Sequence, residues 1–360
     1  MIFSSLTTYN FRNLNDAKTK IDSKDVYLVG INGQGKTNFL EAIYFSNYGS
    51  SFRSFKDIDL IKTNEKECSV QMNFCDTSID ENVFIKIENG KKTIFVNGKK
   101  VESRKTLLSI ISCIIFCHED MEFVTGSPEK RRWFFDQNIS LYDTLYLDDL
   151  QRYKRILKTR NALLKDIKAG NSSAILDVID PQLVEFGIRL MERREEEIAY
   201  FSKIFEYIYK EVSGIEHINI RYKASWKIHT LNETIALLAA NRERDVLFGT
   251  TLSGPHRDKY GFYCGENEFS ENASTGQKRL YALLLRVAQA SRYLQMTKKK
   301  PVLLLDDVLL ELDGEKKIRF LATLPEYEQA FYTFLPEEPY QKYKADDAIV
   351  YHVKNGGLQE

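Results

Sequence analysis

Apolar and polar positions along the chain fall into three regimes. In roughly the first hundred residues short β-type runs dominate: Met1–Phe3 with Leu6–Tyr9, Val26–Val29, Cys68–Phe74, Val83–Glu88 and Thr93–Val96. Asn89-Gly90 and Asn97-Gly98 stand at the ends of the last two runs, and this residue pair favours two-residue hairpin turns. The stretch therefore predicts an antiparallel meander beside a main sheet. Leu107–Phe116 is continuously apolar and predicts a buried strand, or a short helix leading into one. From Ser127 to about Ile208 the period becomes helical. Ser127-Pro128-Glu129-Lys130 opens a helix with an N-cap residue, proline at the first position and an acid in the first turn. Leu147 to about Lys168 forms another, which Ala169–Ser173 interrupts. From Pro181 the residues Val184, Gly187, Met191, Ile198, Phe201, Phe205 and Ile208 share one helical face, as in one half of an antiparallel helical arm. Ile218–Tyr222 alternates as a strand does. From Thr250 strand and turn chemistry returns, with strands around Tyr260–Tyr263, a helix from Lys278 to about Leu294, and an apolar strand from Val302 to Asp307.

The connection after Val29 carries the chemistry. Gly30-Ile31-Asn32-Gly33-Gln34-Gly35-Lys36-Thr37 lies between a strand and a helix that opens at Asn38, the context a phosphate-binding loop requires. Glycines let the backbone wrap an anion, and converging N–H groups with the helix N-terminus favour negative charge. Gly30 through Asn38 are thus the nucleotide-binding candidates. Lys36 is assigned to the β- and γ-phosphates and Thr37 to Mg²⁺. Asp306 and Asp307 end a strand that reads as buried on both faces, at the edge where such sheets bind ligands. Asp306 is expected to join Thr37 at the metal, and Asp307 to position or deprotonate an attacking water. The loop alone is shared by small-molecule kinases and by transporter ATPase subunits. Ser274-Thr275-Gly276-Gln277-Lys278-Arg279 opens a helix about thirty residues before the carboxylates, and taken alone is an N-cap.

Composition sets outer limits. Hydrophobic residues make up 43% and charged residues 28%, which is globular, and a net charge of zero neither supports nor excludes nucleic acid. No apolar run reaches about 18 residues, so no membrane span is expected. Residues 1–11 lack the apolar core of a signal peptide, and a soluble cytoplasmic protein is expected. The five cysteines Cys68, Cys75, Cys113, Cys117 and Cys264 include no Cys-x-x-Cys pair, so reduced thiols rather than a zinc site are expected. Lys130, Arg131 and Arg132, then Arg152, Lys154, Arg155, Lys158 and Arg160, form basic clusters on predicted helices. They are candidates for salt-dependent contacts to a DNA backbone. A solvated face paired with Asp148, Asp149 and Glu195–Glu197 is the alternative.

The order of these motifs resembles ABC-type ATPases of the branch that includes the SMC and Rad50 proteins, and within it the RecF family. The resemblance runs nearly end to end. It rests on Asn10-Phe11-Arg12-Asn13, the glycine loop with Asn38–Tyr44, Ser51-Phe52-Arg53, Gly126–Arg132 and Arg160–Lys165. It continues in Ser253-Gly254-Pro255-His256-Arg257-Asp258, Ser274–Arg279, Leu304–Val308 and Glu311-Leu312-Asp313. It implies an α/β fold: an ABC-type P-loop ATPase head with mixed β-sheets, over residues 1–116 and 247–360, plus a mostly helical second lobe over 117–246. It further implies an ATP- and Mg²⁺-dependent homodimer that binds double-stranded, gapped or junction DNA. Such a protein acts with RecO and RecR to load RecA, and its slow hydrolysis times release. Ser274, Thr275, Gly276 and Gln277 then correspond to the signature that faces the γ-phosphate held by another protomer. Arg12 and Arg53 match positions near the phosphates. Leu310 stands where the family often has serine, Cys117-His118 precedes Glu119-Asp120 where Ser-Pro is usual, and Lys259 follows Asp258 where a second aspartate is common.

Overall fold

The segment Asp25–Val29 is buried along its whole length, and it folds as an inner strand of a six-stranded sheet. The computed structural model describes residues 2–54, 56–75, 81–102, 105–110, 112–170, 172–227, 230–342 and 344–360. Across the sheet the order is Gly357–Gln359, Ile349–Lys354, Asp25–Val29, Gln329–Phe334, Val302–Leu305 and Cys113–Phe116. Every neighbouring pair is parallel except the last hairpin, 349–354 with 357–359. The strand before the glycine loop and the strand before the two aspartates are therefore separated by one strand, Gln329–Phe334. Leu28 pairs with Thr333 and Leu305 with Tyr332, so the C-terminal ends of all three lie side by side. The carboxylate strand stops at Leu305, not Asp307: Asp307 has a left-handed backbone at φ 53°.

A second, antiparallel sheet has the order 17–20, 2–9, 67–75, 81–88, 91–96 and 99–101. Its meander turns at Asn89-Gly90 and Asn97-Gly98, all four residues at positive φ, as the sequence predicts. The helix Lys36–Tyr48 belongs to a core with strands of both sheets, among them Val26, Leu28, Val70 and Ile85. Because apolar residues surround this helix, it has no solvent stripe, and even Glu41 and Asn47 are buried. The apolar run before Phe116 resolves into a short helix, Lys105–Ile110, and the strand Cys113–Phe116; Ile111 lies outside the described residues.

The chain divides into two compact units, Met1–Asp120 with Tyr293–Glu360, and Met121–Arg292. The boundaries expected from sequence were 116 and 247, so residues 247–292 pack with the second unit. The physical reason is a sheet: Lys259–Cys264 pairs antiparallel with Ile218–Lys223, and Asn267–Glu268 completes it. Two long helices, Thr144–Lys168 and Leu176–Ser213, dominate this unit. They run antiparallel, since Arg160 bonds Asp180 while Tyr146 bonds Arg194. The second helix begins five residues before Pro181, which has no N–H to donate to the Asp177 carbonyl. It is about 57 Å long at 1.5 Å per residue.

Candidate nucleotide site

The glycine loop closes around its own lysine. Lys36 is buried, and its Nζ donates to the carbonyls of Gly30 at 2.6 Å and Ile31 at 3.4 Å. Gly33 and Gly35 have φ of 80° and 117°, which side chains adopt only at a cost, and Gly35 caps the helix. Thr37 Oγ1 donates to Asp306 Oδ1 at 2.9 Å. The intervening strand supplies a residue that sequence reasoning missed. Thr333 Oγ1 accepts from the Asp307 N–H at 2.7 Å, donates to Asp307 Oδ1 at 2.8 Å, and lies 3.3 Å from Asp306 Oδ1. Burial, then the neighbouring Asp307 charge, pushes the Asp306 carboxyl up to about 6, against the opposing Thr37 and Thr333 hydrogen bonds. Thr37 and Asp306 offer hard oxygen donors, the chemistry that suits Mg²⁺, which takes few protein ligands and completes its shell with phosphate and water oxygens.

Arg12 and Arg53 converge on one buried carboxylate. Arg12, at φ 52°, binds Glu41 through Nε and Nη2, each at 2.9 Å. Ser51 Oγ donates to Glu41 at 2.5 Å. Arg53 Nη1 is 3.8 Å from the same carboxylate and donates to Asn38 Oδ1 at 2.9 Å. A bidentate pair of this kind holds a fully buried charge in place. Arg12 is thus a donor to Glu41, while Arg53, with 38% of its side chain exposed, lies beside the loop helix. The Cys117–Asp120 segment is closed by Asp120, whose Oδ2 accepts from the Cys117 N–H at 3.0 Å.

In the second unit Ser274 and Gln277 form a reciprocal cap. The Ser274 N–H donates to Gln277 Oε1 at 2.8 Å and the Gln277 N–H to Ser274 Oγ at 3.3 Å. Ser274, Thr275, Gly276 and Gln277 are exposed at the start of the helix Thr275–Thr297, with open space at Gly276. The basic candidates separate into two groups. Arg131 donates to the carbonyls of Val124 and Tyr260, at 2.9 and 3.1 Å, and Arg132 to that of Asp258 at 2.8 Å. Arg160 is buried between Asp180 and Asp245, each at 2.7 Å, and Thr251 at 2.8 Å. These three cross-link the unit. Lys130 pairs with Glu122 at 2.6 Å, whereas Arg155 and Lys158 are exposed on the Thr144–Lys168 helix with Arg152 and Lys154.

In the Gly254–Asp258 segment Gly254, Pro255 and Asp258 are buried, His256 is half-buried and Arg257 is exposed. His256 Nε2 faces the Thr251 carbonyl at 2.9 Å, which only accepts, so Nε2 carries the proton and Nδ1 accepts from Tyr153 OH at 2.7 Å. Burial, reinforced by Arg257, Arg132 and Arg160, lowers His256 to about 4 despite the Thr251 bond. Between about pH 6.5 and 4 the unfolded chain therefore binds the extra proton, and stability falls as pH falls. His256→Gln should flatten that limb of a stability-against-pH curve by about 1–3 kcal/mol. Equal acid sensitivity in the variant would contradict it.

A glycine loop, a hydroxyl–carboxylate pair across one strand and a parallel sheet backed by a meander define an ABC-type ATPase head of mixed α/β architecture. An Smc head domain bound to ScpA shares this fold, with a TM-score of 0.56 at 18% identity over 99% of this chain and 96% of that one. The model of the RecF/RecN/SMC N-terminal domain matches residues 2–356, and the chain belongs to the RecF family. It is similar to the DNA replication and repair protein RecF of Treponema pallidum, at 41% identity over 99% of this chain and all of that one. The corresponding protein of Clostridium acetobutylicum is 34% identical over the full length of both. A solved structure of the recombination mediator protein RecF–ATP in the RecFOR pathway has a TM-score of 0.91 at 29% identity, covering 99% of this chain and 96% of that one.

Proposed function

We propose that this chain is an ATP-dependent DNA-binding protein of recombinational repair and replication-fork maintenance. Support comes from Lys36, Thr37, Asp306 and Asp307 converging in a chain that aligns end to end with DNA replication and repair RecF proteins. The loop amides of 30–38 cradle the α- and β-phosphates, and Lys36 reaches the β- and γ-phosphates. Thr37 and Asp306 hold Mg²⁺, which supplies neutralising charge beside the phosphates. Thr333 fixes Asp307, which orients the attacking water and receives its proton. Ser274–Gln277 of a second copy donate to the γ-phosphate, so the nucleotide joins two protomers. Arg53 turns from Asn38 toward the phosphates, and Arg12 keeps Glu41 neutralised.

Hydrolysis removes the shared γ-phosphate and with it the bonds that favour the dimer, so turnover acts as a slow switch stimulated by DNA. Double-stranded or gapped DNA is held through its backbone, with Arg155 and Lys158 as the exposed candidates and Lys130 less available. RecO and RecR are the partners through which RecA is loaded. Sedimentation with and without ATP and a short duplex tests the reading. The wild type dimerises and binds duplex only with ATP, more weakly as salt rises. Ser274→Arg stays monomeric while still binding ATP. Nucleotide-independent DNA binding would overturn the reading, and unchanged self-association and turnover in Ser274→Arg would favour a small-molecule kinase.

A further inference from the structure

The glycine loop is braced from outside by two distant segments of its own unit. Asn13 Nδ2 donates to the Gly33 carbonyl at 3.1 Å, and the Gly356 N–H donates to the Gln34 carbonyl at 2.9 Å. The Asn355 N–H donates to Gln34 Oε1 at 2.5 Å. The braces also hold each other, since the Asn15 N–H donates to the Gly356 carbonyl at 2.9 Å. Asn355 and Gly356 have φ of 48° and 78° and turn the hairpin between 349–354 and 357–359. A Cβ on Gly356 would lie 2.0 Å from the Asn13 carbonyl oxygen, and one on Gly30 would lie 2.5 Å from that of Val353. The approach is as close as backbone allows.

A trans peptide holds its C=O and N–H antiparallel. Fixing the Gly33 and Gln34 carbonyls outward therefore aims the N–H groups of Gln34 and Gly35 the opposite way, into the loop. We infer that Asn13 and the Asn355–Gly356 turn are positioning residues that preset these two amides for a phosphate oxyanion. The inference rests on the nucleotide reading above and adds a cause for the loop's shape. An unbraced glycine loop spreads over many peptide orientations, and ordering it at binding weakens affinity. With both planes fixed beforehand, the amides meet the anion without rearrangement. Because backbone amides of such loops face the α- and β-phosphates, the effect falls equally on ADP and ATP.

The test is calorimetric titration of ADP and ATP into the full-length wild type, Asn13→Leu, Gly356→Asn and Gly98→Asn, with melting of each protein free of nucleotide. Asn13→Leu removes the donor to Gly33 without adding charge. Gly356→Asn and Gly98→Asn carry the same substitution at nearly the same φ, 78° and 73°, but Gly98 has no neighbour within 4 Å. Asn13→Leu and Gly356→Asn should bind ADP and ATP roughly tenfold more weakly, by one common factor. Gly98→Asn should bind as the wild type does, and nucleotide-free Asn13→Leu should melt within a few degrees of it. Unchanged affinity in Asn13→Leu overturns the inference. So does a loss confined to ATP, which would place the effect in the Asn13–Asn38–Arg53 hydrogen bonds. If Gly356→Asn does not fold, Asn13→Leu decides. A wild type that binds neither nucleotide overturns the nucleotide reading itself.

Discussion

Lys36→Ala should bind ATP at least about 100-fold more weakly than the wild type and lose nucleotide-dependent association. The ammonium is buried and donates to the Gly30 and Ile31 carbonyls. Removing it deletes the charge assigned to the β- and γ-phosphates and leaves those carbonyls without their donor. Each charge-assisted bond is worth about 1.5–3 kcal/mol, so two of them account for the factor. Titration calorimetry measures it directly, and near-normal ATP affinity would be a contradiction. The loss should exceed that of Asn13→Leu, because it removes a contact rather than loosening a geometry.

Arg194→Met should lower the melting temperature by about 6–20 °C. Arg194 is 2% exposed and belongs to the second unit. Its Nη2 binds Asp136 Oδ1 at 2.8 Å, and its Nη1 binds Asp258 Oδ2 and the Pro255 carbonyl, both at 2.7 Å. Tyr222 OH and the Ser225 N–H also donate to Asp258. Methionine keeps much of the volume but takes from Asp136 and Asp258 the guanidinium that pairs with both. Breaking such a pair from one side costs about 3–5 kcal/mol, and each kcal/mol moves the transition by about 2–4 °C at this size. Arg193, next in sequence but 51% exposed, serves as the comparison; Arg193→Met should stay within about 0.5 kcal/mol. Similar melting of the two variants would refute the central role of Arg194.

What could be read from the sequence depended on whether the information was local. The glycine loop, its flanking elements and the Asn-Gly hairpins at 89–90 and 97–98 follow from backbone rules acting over a few residues. The Asn355–Gly356 turn obeys the same rule, and the dipeptide was visible; its contact with Gln34 was not, because it spans more than 300 residues. Thr333 had no signal at all. It becomes a partner of Asp307 only because its strand inserts between the two strands that carry the chemistry. Arg131, Arg132 and Arg160 mark the limit of reading charge from composition. A basic run on a helix says nothing about which members turn inward, and these three satisfy buried carbonyls and carboxylates. The carboxylate strand was legible to within two residues, and the left-handed Asp307 explains its early end.

The bracing of the glycine loop also bears on the order in which the molecule can be made. The strand at 25–29 acquires its two neighbours from 329–334 and 349–354, and its loop acquires a brace from 355–356. At a synthesis rate of about 5–20 residues per second, the loop emerges tens of seconds before those partners exist. During that interval the growing polypeptide lacks the framework that shapes its nucleotide pocket. Shaping of the loop is thereby coupled to synthesis of residues 329–356, and a product that stops before them would lack both the neighbouring strands and the brace.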